Sequence, residues 1–259
     1  MWEPIEENFK LRTNYHKKRM PITYLKMKKI VISGTYCTGK TTLSLALSLA
    51  TGVPVTHALT MREILPNLFP GKTLRACSYA ELLCLGMRRF AERIHAEAKF
   101  TDGFISDGCT LQEWLYGSTR LYTGAYPDEY PWQMKLKQLL HYRQYRNFVV
   151  QLHQFEGMAK AYATSHYDTF FHLPVEFDFV ADGHRPTSER FRQLSEIRLL
   201  TAYKEMGLHP EIISGNPLAR LEKILNHLNV SPIIDLEEAI DRAAKIRKAQ
   251  FDAIKLEQS

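Results

Sequence analysis

Nothing in this chain of 259 residues approaches the roughly 20 consecutive apolar residues that a membrane span requires. No apolar stretch followed by a small-residue cleavage site stands near the N-terminus, so no secretory signal is expected. Four cysteines, Cys37, Cys77, Cys84 and Cys109, form no C-x-x-C pair, and none stands beside a histidine at metal-ligand spacing. A disulfide-stapled fold is thereby excluded, and the scattered histidines give no structural zinc site. Free thiols in a reducing cytosol are the simplest account, so the expected location is cytoplasmic, with no membrane partner. Repeats and low-complexity tracts are lacking too, which removes solenoids and linker-rich architectures.

Excess charge of one sign is also scarce over most of the chain. The formal net charge is +6, yet residues 1–29 alone hold eight Lys and Arg against three acids. The remainder is nearly neutral. A basic arm, residues 1–27, is the segment able to touch nucleic acid or an anionic surface, but short arms of this kind are commonly solvated tails and nucleic acid is not favoured as a partner.

What is present suits one large α/β domain, residues 28–259, since 45% hydrophobic and 24% charged residues allow a sizeable buried core. Short apolar segments alternate with longer helical patterns, which predicts a parallel sheet covered by helices on both faces. The expected strands are Lys29 to Ser33, Val53 to Val55, Phe104 to Ser106, Thr169 to Leu173 and Glu211 to Ile213. A helix is expected from Lys40 to about Ala50, stopped by a left-handed cap at Gly52, and a second over Leu74 to Lys99. Residues 112–166 hold many aromatics and no obvious strand, which predicts a helical insertion. Its rings form either a stacking surface for an acceptor or the packing of a helical subdomain. Asp235 and Glu238 read as a capping box opening a closing helix over about 235–257, packed on the body or on a second copy in a homo-oligomer.

The chemistry begins at Gly34-Thr35-Tyr36-Cys37-Thr38-Gly39-Lys40-Thr41, a G-x-x-x-x-G-K-T phosphate loop between an apolar strand and a leucine-rich helix. Two glycines let consecutive N–H groups curl close around phosphate oxygens. Lys40 supplies a point charge to the outer phosphates, and Thr41 a hydroxyl to Mg²⁺, with Thr42 following at the helix N-terminus. ATP and Mg²⁺ are therefore the expected cofactors.

Asp107 ends a buried strand at the carboxyl edge, where α/β sheets bind ligands; it is a candidate to orient an acceptor, take its proton or hold Mg²⁺, against a plain turn-forming role before Gly108. A turn at Asp182-Gly183-His184-Arg185-Pro186 leads into a helix with Arg190 and Arg192, and Phe191, Leu194, Ile197 and Leu200 suggest that helix's buried face. Arg185 and Arg192 are candidates to close over the phosphates as a lid, about residues 182–193, against a charged surface paired with Glu189 and Glu196. Arg62 and Arg88 are candidates to reach an anionic or polar acceptor. His57 reads as structural. Asn216, in the turn Ser214-Gly215-Asn216-Pro217, is a candidate border of the adenine.

These motifs together resemble the AAA-type P-loop kinases similar to the ribosylnicotinamide kinase domain of bacterial NAD regulators, which are close to thymidylate and deoxynucleoside kinases. The residues that carry the resemblance are Gly34 to Thr42, Ile105-Ser106-Asp107, Val180 to Pro186 with Phe191-Arg192, and Ser214-Gly215 with Arg220. The resemblance implies a nucleoside-kinase-like three-layer α/β/α P-loop NTPase fold with a five-stranded parallel sheet. It implies ATP and Mg²⁺ at the loop, an acceptor held by Asp107, and a lid arginine at Arg185. One departure is plain: such kinases often have Asp-Arg-Ser after the third strand, and this chain has Asp107-Gly108-Cys109.

The expectation is an ATP-dependent phosphotransferase acting on a hydroxyl or phosphate of a small, nucleoside-like acceptor. Two alternatives stand beside it: a kinase of nucleic-acid ends or modified bases, and a nucleotide-sensing regulatory ATPase without an acceptor.

Overall fold

Ile30, Val31 and Ile32 are completely buried, a run suited only to a strand covered on both faces. The computed structural model places it at the centre of the sheet; the structure describes residues 28–123, 130–176 and 188–256. The basic arm, residues 124–129 of the aromatic segment and the segment from Asp182 to Pro186 lie outside the described residues. The strands are β1 (Lys29–Gly34), β2 (Val55–Thr56), β3 (Phe104–Asp107), β4 (Thr169–Leu173) and β5 (Glu211–Ile212). They form one five-stranded parallel sheet in the order β2-β3-β1-β4-β5.

The helices are α1 (Lys40–Thr51), α2 (Met61–Leu68), α3 (Tyr79–Glu97), α4 (Thr110–Thr123), α5 (Pro131–Leu140), α6 (Tyr142–His166), α7 (Glu189–Glu205), α8 (Pro217–Leu228) and α9 (Leu236–Leu256). Side chains alternate across a strand, so each strand feeds two cores. Ile30, Ile32, Ile105 and Phe171 meet α1, α8 and α9 on one face. Val31, Phe104 and Phe170 meet α4, α6 and α7 on the other. The result is the expected three-layer arrangement.

β4 runs as expected over Thr169–Leu173, and the other strands differ from expectation by a residue or two at their ends, β2 most of all. The helix expected over Leu74 to Lys99 is divided: a 3₁₀ turn covers Leu74–Ala76, and α3 begins at Tyr79 because Ser78 caps it, its hydroxyl accepting from Glu81 N at 3.3 Å. The aromatic segment is not a separate layer. α4 starts at Thr110, and Trp114 and Tyr116 are buried in the core beneath α6 and α7.

The buried face of α7 is also a correction. Ile197 is 62% exposed and Leu200 36%, whereas Phe191, Ser195, Leu199 and Ala202 face the core. Small residues at 195 and 202 let α7 lie close against the body, and the Ser195 hydroxyl bonds Thr119 Oγ1 at 3.3 Å. A stripe of small and apolar residues therefore sets the face, and the larger aliphatics fall beside it. At the C-terminus, Asp235 Oδ1 accepts from Glu238 N at 3.0 Å as expected. α9 packs on α1 through Ala239 and Ala243, so the body of the same chain covers this face.

Candidate functional site

The phosphate loop leaves β1 at Gly34, whose φ of +142° and close neighbours tolerate no side chain: a Cβ there would lie 2.7 Å from Leu173 O and from Thr38 Oγ1. Within the loop, Thr38 Oγ1 donates to Thr35 O at 3.1 Å, and Lys40 Nζ donates to the same carbonyl. Gly39, also left-handed, delivers the chain into α1.

Two side chains from opposite layers fasten the loop. Gln112 on α4 donates through Nε2 to Gly34 O at 3.0 Å, while its Oε1 accepts from Cys109 N. Arg220 on α8 donates to Thr38 O at 2.6 Å and pairs with Glu176 Oε2 at 2.8 Å. Glu176 Oε2 accepts from Gly215 N as well, at 2.9 Å. Tyr36 stacks on Tyr116 with ring centroids 4.1 Å apart, which fixes the loop's outer side against α4.

Because β3 lies directly beside β1, Asp107 comes level with the loop: Ile32 is its register partner. Thr41 Oγ1 donates to Asp107 Oδ2 at 2.7 Å, and His57 Nδ1 stands 3.6 Å from the same oxygen. Burial would raise the Asp107 carboxyl, but His57, the charge of Lys40 and the Thr41 hydroxyl outweigh it and hold the group at about 2. Asp107 is therefore an ionised acceptor of hydrogen bonds across the ordinary pH range. Thr41 and Asp107 form a hydroxyl and carboxylate pair of hard oxygen donors. That is a donor set suited to Mg²⁺, which needs few protein ligands beside water and phosphate oxygens.

Behind Asp107 lies a buried charge cluster. Arg93, on α3, bonds Glu113 Oε1 through Nε at 2.9 Å and Nη2 at 2.8 Å, Ser106 Oγ at 3.0 Å, and the carbonyls of Asp107 at 3.2 Å and Gly108 at 3.3 Å. Arg89 Nε takes Glu113 Oε2 at 2.8 Å. Burial works against the Arg93 charge, but Glu113, Tyr167 and Glu97 outweigh it and keep the guanidinium charged. Burial also lifts the Glu97 carboxyl above its usual range, although Arg93, Ser106, Tyr167 and Tyr162 oppose this.

This cluster explains the residue after Asp107. Gly108 has φ +85°, and a Cβ there would meet Gln112 Oε1 at 2.8 Å and Arg93 Nη2 at 3.3 Å. The space is closed to a side chain because Gln112 reaches it from α4 and Arg93 from α3, and the positive φ itself favours glycine.

A cleft of about 200 Å³ runs along the loop, with Lys40, Thr41, Asp107, His57, Arg89 and Arg120 among its walls. Other expected site residues lie elsewhere. Arg88 points away and pairs with Glu92 at 2.6 Å; its neighbour Arg89 faces the cleft. Arg192 is 2% exposed and pairs with Glu189 at 2.8 Å, so it packs within the body and does not line the cleft. Asn216 Oδ1 accepts from Ala219 N at 2.9 Å, capping α8, and does not line the cleft either. Thr42 bonds Arg247 of α9 at 3.4 Å. Arg185 and the side chain of Arg62 lie outside the described residues.

Sequence reasoning passed over Arg89, Arg93, Glu113, Gln112 and Arg247, and read His57 as structural. The signal was there for two of them, Arg89 and Arg93. Arg89, Arg93 and Glu97 recur at intervals of four, on the stripe that Leu85 and Leu82 begin, where a solvated face would not place them.

A phosphate loop closing on a strand-end aspartate over a five-stranded parallel sheet defines a P-loop nucleotide-binding fold. The chain belongs to the AAA domain family, whose sequence model matches residues 29–220. No curated protein matches it. Among solved structures it is similar to NadR in complex with NR, at 13% identity and a TM-score of 0.49, over 81% of this chain and 52% of that one. It is similar also to NadR in complex with NAD and AMP-PNP, at 12% identity and a TM-score of 0.46, over 85% and 55% of the two chains. The chain thus spans about half the length of these neighbours. Among the described residues no helix is long and apolar enough to cross a membrane.

Proposed function

We propose that the chain is an ATP-dependent phosphotransferase that moves the γ-phosphate to a hydroxyl or phosphate of a small acceptor of nucleoside-like size. The observation that carries this is the Thr41–Asp107 contact of 2.7 Å, which sets an ionised carboxylate beside the phosphate loop at the open edge of the sheet.

In this reading the loop N–H groups and Lys40 cradle the β- and γ-phosphates and neutralise charge as the bond between the γ-phosphorus and its bridging oxygen breaks. The acceptor oxygen attacks from the cleft side and ADP leaves. Mg²⁺, held by Thr41 and Asp107, would supply further charge neutralisation on the phosphates. Asp107 serves best as an orienting and charge-bearing group, since a carboxylate held near 2 is a weak base. The free thiols of Cys37, Cys77, Cys84 and Cys109 suit the reducing cytoplasm, where we place the enzyme.

The test is transfer of labelled γ-phosphate from ATP to a pooled panel of nucleosides, nucleotides and hydroxylated metabolites, resolved by mass. A labelled product made by the native protein, abolished in Lys40→Ala and strongly reduced in Asp107→Asn, is the expected result. Slow ADP release with no labelled acceptor, unchanged in Asp107→Asn, would remove the phosphotransferase reading.

A further inference from the structure

A second chamber of about 360 Å³ adjoins the phosphate cleft. Met61 and Arg120 line both spaces, so the two communicate at that neck. Leu82 and Leu83 of α3, Leu121 of α4, and Phe148, Leu152 and Phe155 of α6 supply much of its wall. Its polar groups near the neck are already engaged. Glu113 is taken by Arg93 and Arg89, and the Ser78 hydroxyl by the cap of α3. Lys137, Gln138, His141 and Gln144 line the chamber as well, from α5 to the start of α6; against the leucine and phenylalanine walls a nucleobase would leave donors and acceptors unmet, at a cost of the order of 1–3 kcal/mol each.

Arg120 is the exception. Its Nε is buried, and it makes no hydrogen bond or ion pair among the described residues. A guanidinium at the neck of a largely apolar chamber, its Nε buried and no carboxylate among the described residues paired with it, is an anion site in the making.

We propose that this chamber takes the apolar body of an amphiphilic monophosphate, with the phosphate held at Arg120 and facing the phosphate loop. Resting on the phosphotransferase reading above, this ligand is the acceptor. A phosphate oxygen of the acceptor forms the new bond to the γ-phosphorus, the bond from that phosphorus to the bridging oxygen of ADP breaks, and the products are ADP and an apolar diphosphate ester.

The experiment is equilibrium binding to the full chain by calorimetry, with 1-naphthyl phosphate, 1-naphthol, thymidine monophosphate and inorganic phosphate as probes and AMP-PNP with Mg²⁺ as the control. The expected order has 1-naphthyl phosphate tightest. Arg120→Gln weakens it by roughly tenfold to a hundredfold, the scale of a lost charge-assisted bond, and more than it weakens AMP-PNP. Leu121→Trp fills the chamber and abolishes 1-naphthyl phosphate binding while AMP-PNP affinity stays unchanged. The proposal is overturned if thymidine monophosphate binds as tightly as 1-naphthyl phosphate, or if Leu121→Trp or Arg120→Gln leaves the naphthyl ligand unaffected. AMP-PNP failing to bind while 1-naphthyl phosphate binds with both dependences would overturn the phosphotransferase reading and leave the chamber's ligand class standing.

Discussion

Replacing Arg93 by Met removes a guanidinium that is 2% exposed and keeps most of its volume. The loss falls on its partners. Among the described residues Glu113, whose side chain is 0% exposed, keeps only Arg89; Glu97 loses its pairing at 3.8 Å, and the Ser106 hydroxyl and the carbonyls of Asp107 and Gly108 each lose a donor. Breaking a buried ion pair from one side costs about 3–5 kcal/mol, because a charge stays behind without compensation. Domains of ordinary stability hold about 5–15 kcal/mol, so the variant should remain folded but weakened. For a chain of this size each kcal/mol moves the midpoint by about 2–4 °C, giving a fall of roughly 6–20 °C in thermal unfolding followed by circular dichroism. Pairing it with Glu113→Gln removes the stranded charge, so the double variant should lose clearly less than the two single losses added together. A fall under about 2 °C in Arg93→Met, or strict additivity in the double variant, would refute this account of the cluster.

Further outcomes follow from the loop and its surroundings. Gly34→Ala forces a Cβ to within 2.7 Å of Leu173 O at a φ of +142°, so AMP-PNP affinity should drop by roughly tenfold or more; unchanged calorimetric affinity would show that the loop does not need this geometry. Asp107 is held at about 2 against an ordinary 3.8, so its ionised form stabilises the fold in full above pH 3.8, and that contribution of roughly 2 kcal/mol is lost as pH falls through about 2. The acid limb of stability should accordingly be shallower in Asp107→Asn, and parallel limbs in the two proteins would contradict the shift. Cys109 is buried, which pushes its thiol up to about 11, whereas Cys84 is exposed. Iodoacetamide near neutral pH should label Cys84 first and spare Cys109 until denaturant is added, as read by peptide mass; early labelling of Cys109 would show that its pocket opens.

The parallel sheet and the phosphate loop were legible because both depend on local pattern. Ile30 to Ile32 is apolar throughout, and the loop's spacing is dictated by the phosphate it must surround. Asp107 was legible as a strand-end carboxylate, and the cap at Asp235 as a short-range pattern. The cluster behind Asp107 was legible only in the spacing of Arg89, Arg93 and Glu97, because its assembly joins positions 93, 97, 106 and 113 through the packing of α3 on α4. Charges on a long helix ordinarily face water, and only the depth of α3 in the fold reverses that. Arg88 and Arg89 show the difference: one residue of helix rotation, about 100°, separates a surface pair from the wall of the cleft. Asn216, read as a border of the adenine, has a further duty in the structure as the cap of α8. Its position before Pro217 is a helix-start signal, and the side chain performs that local duty.

The loop is bonded by Gln112 from one layer of helices and by Arg220 from the other. It therefore acts as a rivet through the sheet. Side chains of the fold itself hold its curvature, so the entropy of shaping it is lost during folding and not when a nucleotide arrives. The same rivet makes the layers interdependent. Any change that lets α4 or α8 shift should register first as weaker phosphate binding, and a seated nucleotide should slow amide exchange in both helices at once, although they lie on opposite sides of the molecule.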